Sequence, residues 1–384
     1  MAEVETELGG PGAPLLSVVV PVCDGRKVLE RCLTALLGSD LPRPLWELVV
    51  VDDGSLDGTA AIAAAQADVL VRLPGPPHGP AYARNRGVEA SLGQILVFVD
   101  ADVCLHPDAL RRFAWAFARR PELGAVFGSY DADPPEPDAI SQYRNLRHHY
   151  VHQREAGEAE TFWAACGAVR RDAFVRAGRF DEWHFPRPQI EDIELGYRLR
   201  RLGYSIALDP AIEGTHIKRW KLKEVVVADV RDRGVPWIRL QLALGASERP
   251  ATLLFRRGEW INSGLVCLAL FLLFIAAVHL WEAPALVAAG LLIVVLLSHL
   301  GLYGFFARRR GIGFALRVVP IHLLYYLANG VAAIGAWVLY HLIGAPGPPA
   351  EIQAYAEKGL KTWPPLPAKV DGSSWAGTPT RRSE

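Results

Sequence analysis

Two aspartates that directly follow a strand-like apolar run are the first residues of this chain that could do chemistry. The run is Ile95–Val99 (ILVFV), and Asp100 and Asp102 come next with one residue between them. In an extended segment side chains alternate, so both carboxylates are expected to point to the same side. Carboxylates that face one another suit a divalent cation, which prefers oxygen ligands. The pair therefore predicts an Mn²⁺ or Mg²⁺ site, although an isolated Asp-x-Asp also occurs by chance in acidic loops.

Further carboxylates follow other strand-like runs. Asp24 comes shortly after the run 15–22 (LLSVVVPV), and Asp52 and Asp53 end the run 45–53 (LWELVVVDD). In open α/β sheets ligands bind beyond the carboxyl ends of the strands. We therefore expect these aspartates to share one edge of a sheet with the pair described above, and to form a site with it.

The elements that must position these carboxylates alternate along the chain. Apolar strands are predicted at 15–22, 45–53, 68–73 and 94–100, and helices at 27–37, 57–66 and 81–91. Continuous apolar strands that alternate with helices indicate a mostly parallel sheet covered on both sides. The predicted fold class is therefore α/β.

The loop after the first strand excludes two common phosphate-binding motifs. A dinucleotide fold needs G-x-G-x-x-G there and a P-loop needs G-x-x-x-x-G-K-[ST], but the chain has PVCDGRK (21–27). It also lacks the Gly-rich loop around an arginine with which sugar nucleotidyltransferases normally begin. With 41 basic and 41 acidic residues, the chain shows no basic excess of the kind that suggests nucleic-acid binding.

Five motifs in a fixed order give these carboxylates a context. They are SVVVPVCDG (17–25), VVVDDGSLDGT (49–59), GPAYARNRGVEAS (79–91), VFVDADVCLHPDAL (97–110) and IEDIELGYRLRRLGYSIALDP (190–210). Together they resemble the family 2 glycosyltransferases, which have the GT-A fold, from about Leu15 to Trp220. The resemblance implies transfer of a sugar from a nucleotide-sugar donor with inversion at the anomeric carbon, and UDP is the nucleotide that the family uses most often.

The resemblance assigns the donor side of the site. Asp53 matches the carboxylate that reads the nucleobase, and Asp24 lies where the family also contacts the nucleoside. Arg84 in ARNRG matches a basic residue beside the nucleotide, and Asp52 belongs to the same group. For Arg84 the alternative is an ordinary solvated helix position.

The resemblance also assigns the metal side. Asp102 would ligate the ion. Asp100 would also ligate it, or would contact ribose or a metal-bound water. The metal would stabilise the growing negative charge of the departing nucleoside diphosphate. In THIKRW (215–220) His216 stands where some GT-A enzymes have a third metal ligand, although a satisfied structural histidine fits the sequence equally well.

Three further residues are assigned to the diphosphate and acceptor. Arg219 and Trp220 agree with the Q-x-x-R-W motif of processive family members, but His216 replaces the glutamine, which weakens any prediction of processivity. Trp163 in FWAACGAVRRDAF (162–174) lies in a segment that resembles the family's acceptor-side loop. An aromatic residue there serves as a sugar platform or simply packs.

Displacement with inversion needs one base to take the proton of the acceptor. The segment QIEDIELGYRLRRLG (189–203) predicts a helix with Asp192 near its N-terminus, where the helix dipole favours an ionised carboxylate. The family's Glu-Asp motif places the base at Asp192 and leaves Glu191 for the acceptor side. The alternative is that both are ordinary acids of a helix N-terminus.

The last third of the chain predicts a membrane region. The runs 261–281 and 284–306 contain no Asp, Glu, Lys or Arg, and only Glu282 of these types lies between them. The run 318–340 is interrupted by Pro320, His322 and Asn329. A helix of about 20 apolar residues crosses a hydrocarbon core. The arginines at 256–257 and 308–310 orient the protein with its large N-terminal domain in the cytoplasm.

These observations divide the chain as follows. We predict a flexible N-terminus at 1–14 without the apolar core of a signal peptide, a GT-A domain at 15–220, interfacial or linker helices at 221–258, a transmembrane region at 259–343 and a disordered tail at 344–384. The five cysteines form no C-x-x-C pair, which predicts reduced thiols.

The resulting prediction is a multi-pass membrane enzyme, an inverting and metal-dependent glycosyltransferase. Its partners would be a nucleotide-sugar donor, the membrane, and a lipid, lipid-linked or surface-glycan acceptor at the cytoplasmic face. Two alternatives stay open: a polyprenyl-phosphate sugar synthase, and a catalytically inactive subunit that binds or acts as a scaffold.

Overall fold

The computed structural model describes residues 14–243, 257–344 and 380–381. The chain divides into two units, the first made of residues 1–135, 152–218 and 347–384 and the second of residues 136–151 and 219–346. Most of the predicted N-terminal segment, the linker part 244–256 and most of the predicted tail lie outside the described residues.

One sheet runs through the first unit. Its strands are β1 (Leu16–Val22), β2 (Trp46–Asp53), β3 (Val69–Leu73), β4 (Ile95–Val99), β5 (Val103–Leu105), β6 (Leu123–Tyr130), β7 (Gly157–Ala159), β8 (Cys166–Arg170), β9 (Ser205–His216) and β10 (Thr380–Arg381). The order is β10-β3-β2-β1-β4-β8-β6-β9-β5, with β7 beside β9. The short β10 lies within the segment predicted to be disordered.

The sheet is mixed, so the prediction of a mostly parallel sheet was wrong. Strands β3, β2, β1 and β4 are parallel to one another, but β8 is antiparallel to both β4 and β6, and β5 and β7 are antiparallel to β9. A buried strand has the same apolar pattern in either direction, and the sequence analysis covered only the parallel part. The four strands predicted there are confirmed to within one residue at each end.

Helices accompany the sheet in the order that the sequence predicts. They are α1 (Arg26–Leu37), α2 (Thr59–Gln66), α3 (Pro80–Glu89), α4 (Ala109–Arg119), α5 (Ala139–Arg154), α6 (Arg171–Arg176) and α7 (Glu191–Arg201). The three helices predicted before β4 are confirmed, with ends that shift by at most two residues. Helix α5 passes from the second unit into the first at residue 152.

Both faces of the parallel strands are covered. One face buries Val18, Leu33 and Phe113 in a shared cluster with α1 and α4. On the other face α3 approaches so closely that a Cβ at Gly87 would lie 2.5 Å from Val19. Alternate residues of β1 therefore pack against different helices, as the pleat of a strand requires.

The second unit is helical. Beyond the first part of α5 it contains α8 (Leu222–Val227), α9 (Val235–Ala243), α10 (Arg257–His279), α11 (Glu282–Ser298), α12 (Leu300–Arg310), α13 (Ile312–Arg317) and α14 (Val319–Ile343). A π-helical stretch, Ala228–Gly234, joins α8 to α9.

Two stretches of the described chain are long and apolar enough to cross a membrane: Gly258–His279, with a mean hydropathy of 2.5, and Ile312–Ile343, with 1.5. The predicted run 284–306 differs from the single helix expected, because α11 and α12 meet at His299 with a bend of 64°. Counting this bent pair as one span gives three.

These helices expose apolar side chains, while Glu259 on α10 is paired with a buried arginine of α5. Phe271 and Phe274 on α10 are 59% and 62% exposed. By contrast, the buried guanidinium of Arg147 lies 3.6 Å from the carboxylate of Glu259 and 4.0 Å from the ring centroid of Tyr325. An outward apolar surface of this size is typical of helices that face lipid or a partner.

Candidate functional site

The loops that follow β1 and β2 are joined at the carboxyl edge of the sheet. Val22 pairs with Asp52 at the ends of the two strands. Asp24 adopts a left-handed backbone (φ 48°), donates its N–H to Oγ of Ser55 at 2.9 Å and accepts the N–H of Leu56 at 2.8 Å. Asp52 accepts the N–H of Ser55 at 3.2 Å. Both aspartates therefore hold this edge together.

Asp53 is enclosed by the loop that precedes α3. Its two oxygens accept the N–H of His78 at 3.0 and 2.9 Å, and Oδ2 also accepts the N–H of Gly79 at 2.8 Å. Nδ1 of His78 lies 2.9 Å from Oδ1. Gly79 has a φ of 97°, and a Cβ there would lie 2.3 Å from the carbonyl oxygen of Pro186. The contact of Asp53 with a nucleobase stays a prediction.

The segment after β4 is a turn, so the extended conformation predicted for Asp100 and Asp102 was wrong. The N–H of Val103 donates to the carbonyl of Asp100 at 2.9 Å, and the N–H of Ile217 donates to the carbonyl of Asp102 at 2.9 Å. The turn is required because β5, which starts at Val103, pairs with β9 rather than with a neighbour of β4. The two carboxylates consequently have different partners.

Asp102 lies beside His216, the last residue of β9. Its Oδ2 is 3.7 Å from Nε2 of His216 and 4.0 Å from Nζ of Lys218. Burial opposes ionisation of Asp102, but the nearby imidazole of His216 and the charge of Lys218 hold the pKa of this carboxyl below its usual range. Asp102 is therefore ionised. Lys218 was not among the residues predicted for the site.

The pair is compatible with a single divalent ion. Imidazole nitrogens and carboxylate oxygens each bind such ions at about 2.0–2.2 Å, so two atoms 3.7 Å apart can share one. In the described part of the chain no group of three His, Cys, Asp or Glu side chains could hold a metal. The remaining ligands would then have to be substrate phosphate oxygens and water, as is common where cations bind with phosphates.

A stack of rings fixes His216. Tyr130, the last residue of β6, lies flat on it with centroids 4.4 Å apart and planes at 4°. Trp163 meets Tyr130 edge to face at 4.8 Å. Tyr130 is a site residue that was not predicted, although its place at the end of a buried strand is the same signal that identified the aspartates.

Arg84 connects two parts of the site. It is 4% exposed, donates from Nη2 to Asp100 at 2.7 Å and from Nη1 to Glu191 at 2.9 Å. Burial lowers the pKa of Arg84, but the charges of Asp100 and Glu191 outweigh burial and raise it. The predicted site residues of α3, of the turn after β4 and of α7 are thus joined through one guanidinium.

Asp192 follows Glu191 in the first turn of α7. Its Oδ2 accepts the N–H of Ala164 at 3.1 Å, so the segment that contains Trp163 lies against this carboxylate. Burial and the negative charge of Glu191 raise the pKa of Asp192 to about 6. The helix N-terminus was expected to favour the ionised form, but here burial outweighs that effect.

Arg219 and Trp220 belong to the second unit. Nε of Arg219 lies 4.0 Å from the carboxylates of Glu136 and of Asp138, and its side chain is 72% exposed. The ring of Trp220 lies 4.4 Å from the guanidinium of Arg144. Their predicted roles towards diphosphate and acceptor stay predictions.

Comparisons with known proteins concern the fold and the family resemblance of the first unit. Residues 17–177 match the model of glycosyl transferase family 2. The chain is 30% identical over 230 residues to the validoxylamine A glucosyltransferase of Streptomyces hygroscopicus, which covers 50% of this chain and 54% of that protein. It is 36% identical over 103 residues to glycosyltransferase AglE of Haloferax volcanii, covering 26% of this chain and 34% of that protein.

The chain spans only about a third to a half of the length of these relatives. A solved structure with a similar fold is the mannosyltransferase PcManGT from Pyrobaculum calidifontis, in complex with GDP-Man and Mn²⁺. It is 21% identical, with a TM-score of 0.51 over 84% of this chain and 87% of that one. The first unit therefore contains a mixed sheet like that of the GT-A fold, and residues 17–177 are similar to glycosyl transferase family 2.

Proposed function

We propose that this protein transfers a sugar from a nucleoside diphosphate sugar to an acceptor, with inversion and with a divalent cation. One observation supports the proposal above others: Arg84 joins Asp100 to Glu191, next to Asp192, while Asp102 two residues away faces His216. Arg84 thus links the helix that carries the candidate base to the turn that carries the candidate leaving-group site, within and just beyond the stretch that matches the family.

Asp102 and His216 are the residues that would hold the cation. A nitrogen and an oxygen ligand suit Mn²⁺ better than Mg²⁺, which takes oxygen ligands almost exclusively. The bound ion would supply Lewis-acid stabilisation of the departing diphosphate. The flat stack of Tyr130 restricts the imidazole of His216 to one orientation, and such outer contacts tune metal affinity.

Asp192 is the proposed base. With a pKa of about 6 it is mostly ionised at neutral pH, yet basic enough to accept a proton from a hydroxyl during displacement. The N–H of Ala164 holds one of its oxygens, which orients the carboxylate. Trp163, the residue before Ala164, is the proposed platform for the acceptor sugar, and Glu191 accepts a hydrogen bond from Arg84 at 2.9 Å.

The donor nucleotide is proposed to lie along the edge formed by Asp24, Asp52 and Asp53. Asp24 is exposed there, whereas Asp53 positions the His78–Gly79 loop, whose backbone would flank the base. Arg84, already paired with Asp100, would lie beside the diphosphate. UDP is the first nucleotide to test because the family uses it most often, and GDP is the second.

The acceptor is proposed to be a lipid, a lipid-linked sugar or a surface glycan at the cytoplasmic face of a membrane. The apolar exposed surface of α10 and α14 supports membrane attachment. The exposed Leu222 and the basic residues of α8 and the helix that follows it support a position at the membrane surface. Arg219, with its exposed guanidinium, would assist with the diphosphate, and Trp220 with the acceptor.

The test is donor breakdown by the full chain in detergent. UDP- and GDP-sugars are screened for release of nucleoside diphosphate with Mn²⁺, with Mg²⁺ or with a chelator, and with or without a lipid extract. We expect metal-dependent release from one donor, which Asp102→Asn and Asp192→Asn abolish. The control Asp40→Asn, which removes an exposed aspartate paired with Arg111, retains activity. If every donor stays intact and no nucleotide binds in the presence of metal, the protein is a binding or scaffold subunit instead.

A further inference from the structure

An open cavity of about 430 Å³ lies in the second unit, between the start of α5 and the turn from α12 to α13. Its wall consists of Pro137, Gln142, Arg310, Gly313, Phe314 and Arg317. Gly311, with a φ of 86°, makes the turn that brings the two arginines to the same opening. Two guanidinium groups beside an aromatic ring favour an anionic group with an apolar extension.

A buried amide fixes one of the two arginines. Gln142 is 6% exposed, and its Oε1 accepts the Nε–H of Arg310 at 2.8 Å while its Nε2 donates to the carbonyl of Glu136 at 2.7 Å. Arg310 is thus held on the cavity wall before any ligand arrives. Preorganisation of this kind reduces the entropy lost on binding.

The second arginine has no counter-charge within the described residues. Arg317 is exposed and makes no hydrogen bond or ion pair with them. The carboxylates that flank Pro137, Glu136 and Asp138, lie 4.0 Å from Arg219 instead. The cavity therefore keeps an excess of positive charge, which a phosphate would match through charge-assisted hydrogen bonds.

An apolar seam lies beside α14, the helix that begins two residues after Arg317. Ile321, Leu324 and Ala328 follow at helical spacing on the same face, and with Leu222, Val225 and Val226 they line this seam. It encloses only about 10 Å³, so a chain would lie along it rather than inside it. The one carboxylate in the seam, Asp229, is paired with Arg144 at 2.8 Å, so the seam adds no unpaired charge.

We propose that the cavity and the seam together bind one lipid that carries a phosphate or diphosphate headgroup. Gln142-anchored Arg310 and the free end of Arg317 hold the headgroup, and the partly exposed Ile321, Leu324 and Leu222 hold the first part of the hydrocarbon chain. The lipid's identity as the acceptor rests on the proposed function; its binding does not.

The test measures binding by the full chain in a neutral detergent, with no donor and no metal. The probes are farnesyl phosphate, farnesol and inorganic phosphate. Each is titrated into the labelled protein, and binding is measured from the change in thermophoresis. Arg310→Gln/Arg317→Gln is compared with Arg308→Gln/Arg309→Gln, which removes the same charge from exposed residues of α12 outside the cavity wall. Arg317→Gln alone serves as a second variant, because it removes no contact to a described residue.

We expect farnesyl phosphate to bind at least about tenfold more tightly than either farnesol or inorganic phosphate, since headgroup and chain both contribute. The cavity double variant and Arg317→Gln should weaken it, the former about tenfold, while the control pair stays within about twofold. If the cavity double variant and the control double variant lose the same affinity, farnesyl phosphate binds through unspecific surface charge. If inorganic phosphate binds as tightly as farnesyl phosphate, the cavity is a site for free anions. Either result overturns the proposal.

The outcome is independent of the proposed function. Lipid binding without donor breakdown leaves this proposal standing and removes the enzyme. Donor breakdown with no binding of farnesyl phosphate keeps the enzyme and removes the lipid site.

Discussion

Two carboxylate–histidine pairs lie at the carboxyl edge of the sheet. They differ in the hydrogen bonds that their carboxylate oxygens accept from the protein. Asp53 meets His78 at 2.9 Å, and its side chain is 5% exposed. Asp102 lies 3.7 Å from His216, and its side chain is 24% exposed. The closed pair has its acceptors filled by backbone N–H groups, whereas the open pair leaves a gap of the width that one cation needs.

Each histidine lies flat on a tyrosine, so stacking alone does not separate the pairs. His78 stacks on Tyr82 at 4.6 Å and His216 on Tyr130 at 4.4 Å. The closed pair fixes a loop, whereas the open pair contains the two atoms that we propose as metal ligands. The difference teaches that a carboxylate's role follows from how its oxygens are partnered rather than from its residue type.

The largest effect is expected at the open pair. Asp102→Asn should lower the metal-dependent rate about 10³-fold, because it removes the charge that would hold the cation. Titration of Mn²⁺ against the rate and against nucleotide binding measures the loss. Full activity and unchanged Mn²⁺ affinity in this variant would place the cation elsewhere.

A third carboxylate extends the comparison. Asp192→Asn should lower kcat about 10²-fold or more, because the acceptor loses its base, while donor KM changes little. Steady-state kinetics separates the two constants. The outcome that contradicts this role is a raised KM with an unchanged kcat, which would make Asp192 a binding residue.

The pH profile tests the same carboxylate without a substitution. Burial and Glu191 raise the pKa of Asp192 to about 6, and a base acts only when deprotonated. The rate should therefore be full above pH 7 and fall about tenfold per pH unit below pH 6. A profile of kcat/KM against pH measures the midpoint, and a flat profile down to pH 5 would argue against Asp192 as the base.

The two stacks can be exchanged for aliphatic contacts as a matched pair. Tyr130→Leu should weaken Mn²⁺ affinity about tenfold, since a support of the ligand His216 is lost. Tyr82→Leu, the control at the closed pair, should change it less than twofold. Equal effects of both variants would show that general destabilisation, not support of His216, is being measured.

The smallest effect on metal affinity is expected at the closed pair. Asp53→Asn should leave Mn²⁺ affinity unchanged, raise donor KM, and lower the free energy of unfolding by about 1–3 kcal/mol, because buried N–H groups lose their charged acceptor. Chemical denaturation and metal titration are measured on the same preparation. Loss of Mn²⁺ affinity without loss of stability would reverse the assignment of the two pairs.

The parallel half of the fold could be predicted because its signals are local. An apolar run such as Ile95–Val99 is buried whichever strand it pairs with. The helical spacing of apolar residues is likewise visible within a few residues of sequence. Strand direction is not local. The sequence does not indicate that β8 runs antiparallel to β4, because the apolar pattern of a buried strand is the same in either direction.

The sequence by itself determined which residues could do chemistry and in which segments they lie: the aspartates after β2 and β4, Arg84, Asp192 and His216. Only the tertiary structure decided how they are partnered. Arg84 meets both Asp100 and Glu191, and Asp102 faces His216, because β4, β5 and β9 are brought together by sheet pairing between distant parts of the chain. Side-chain partners at such separations depend on chain topology, which no spacing rule along the sequence contains.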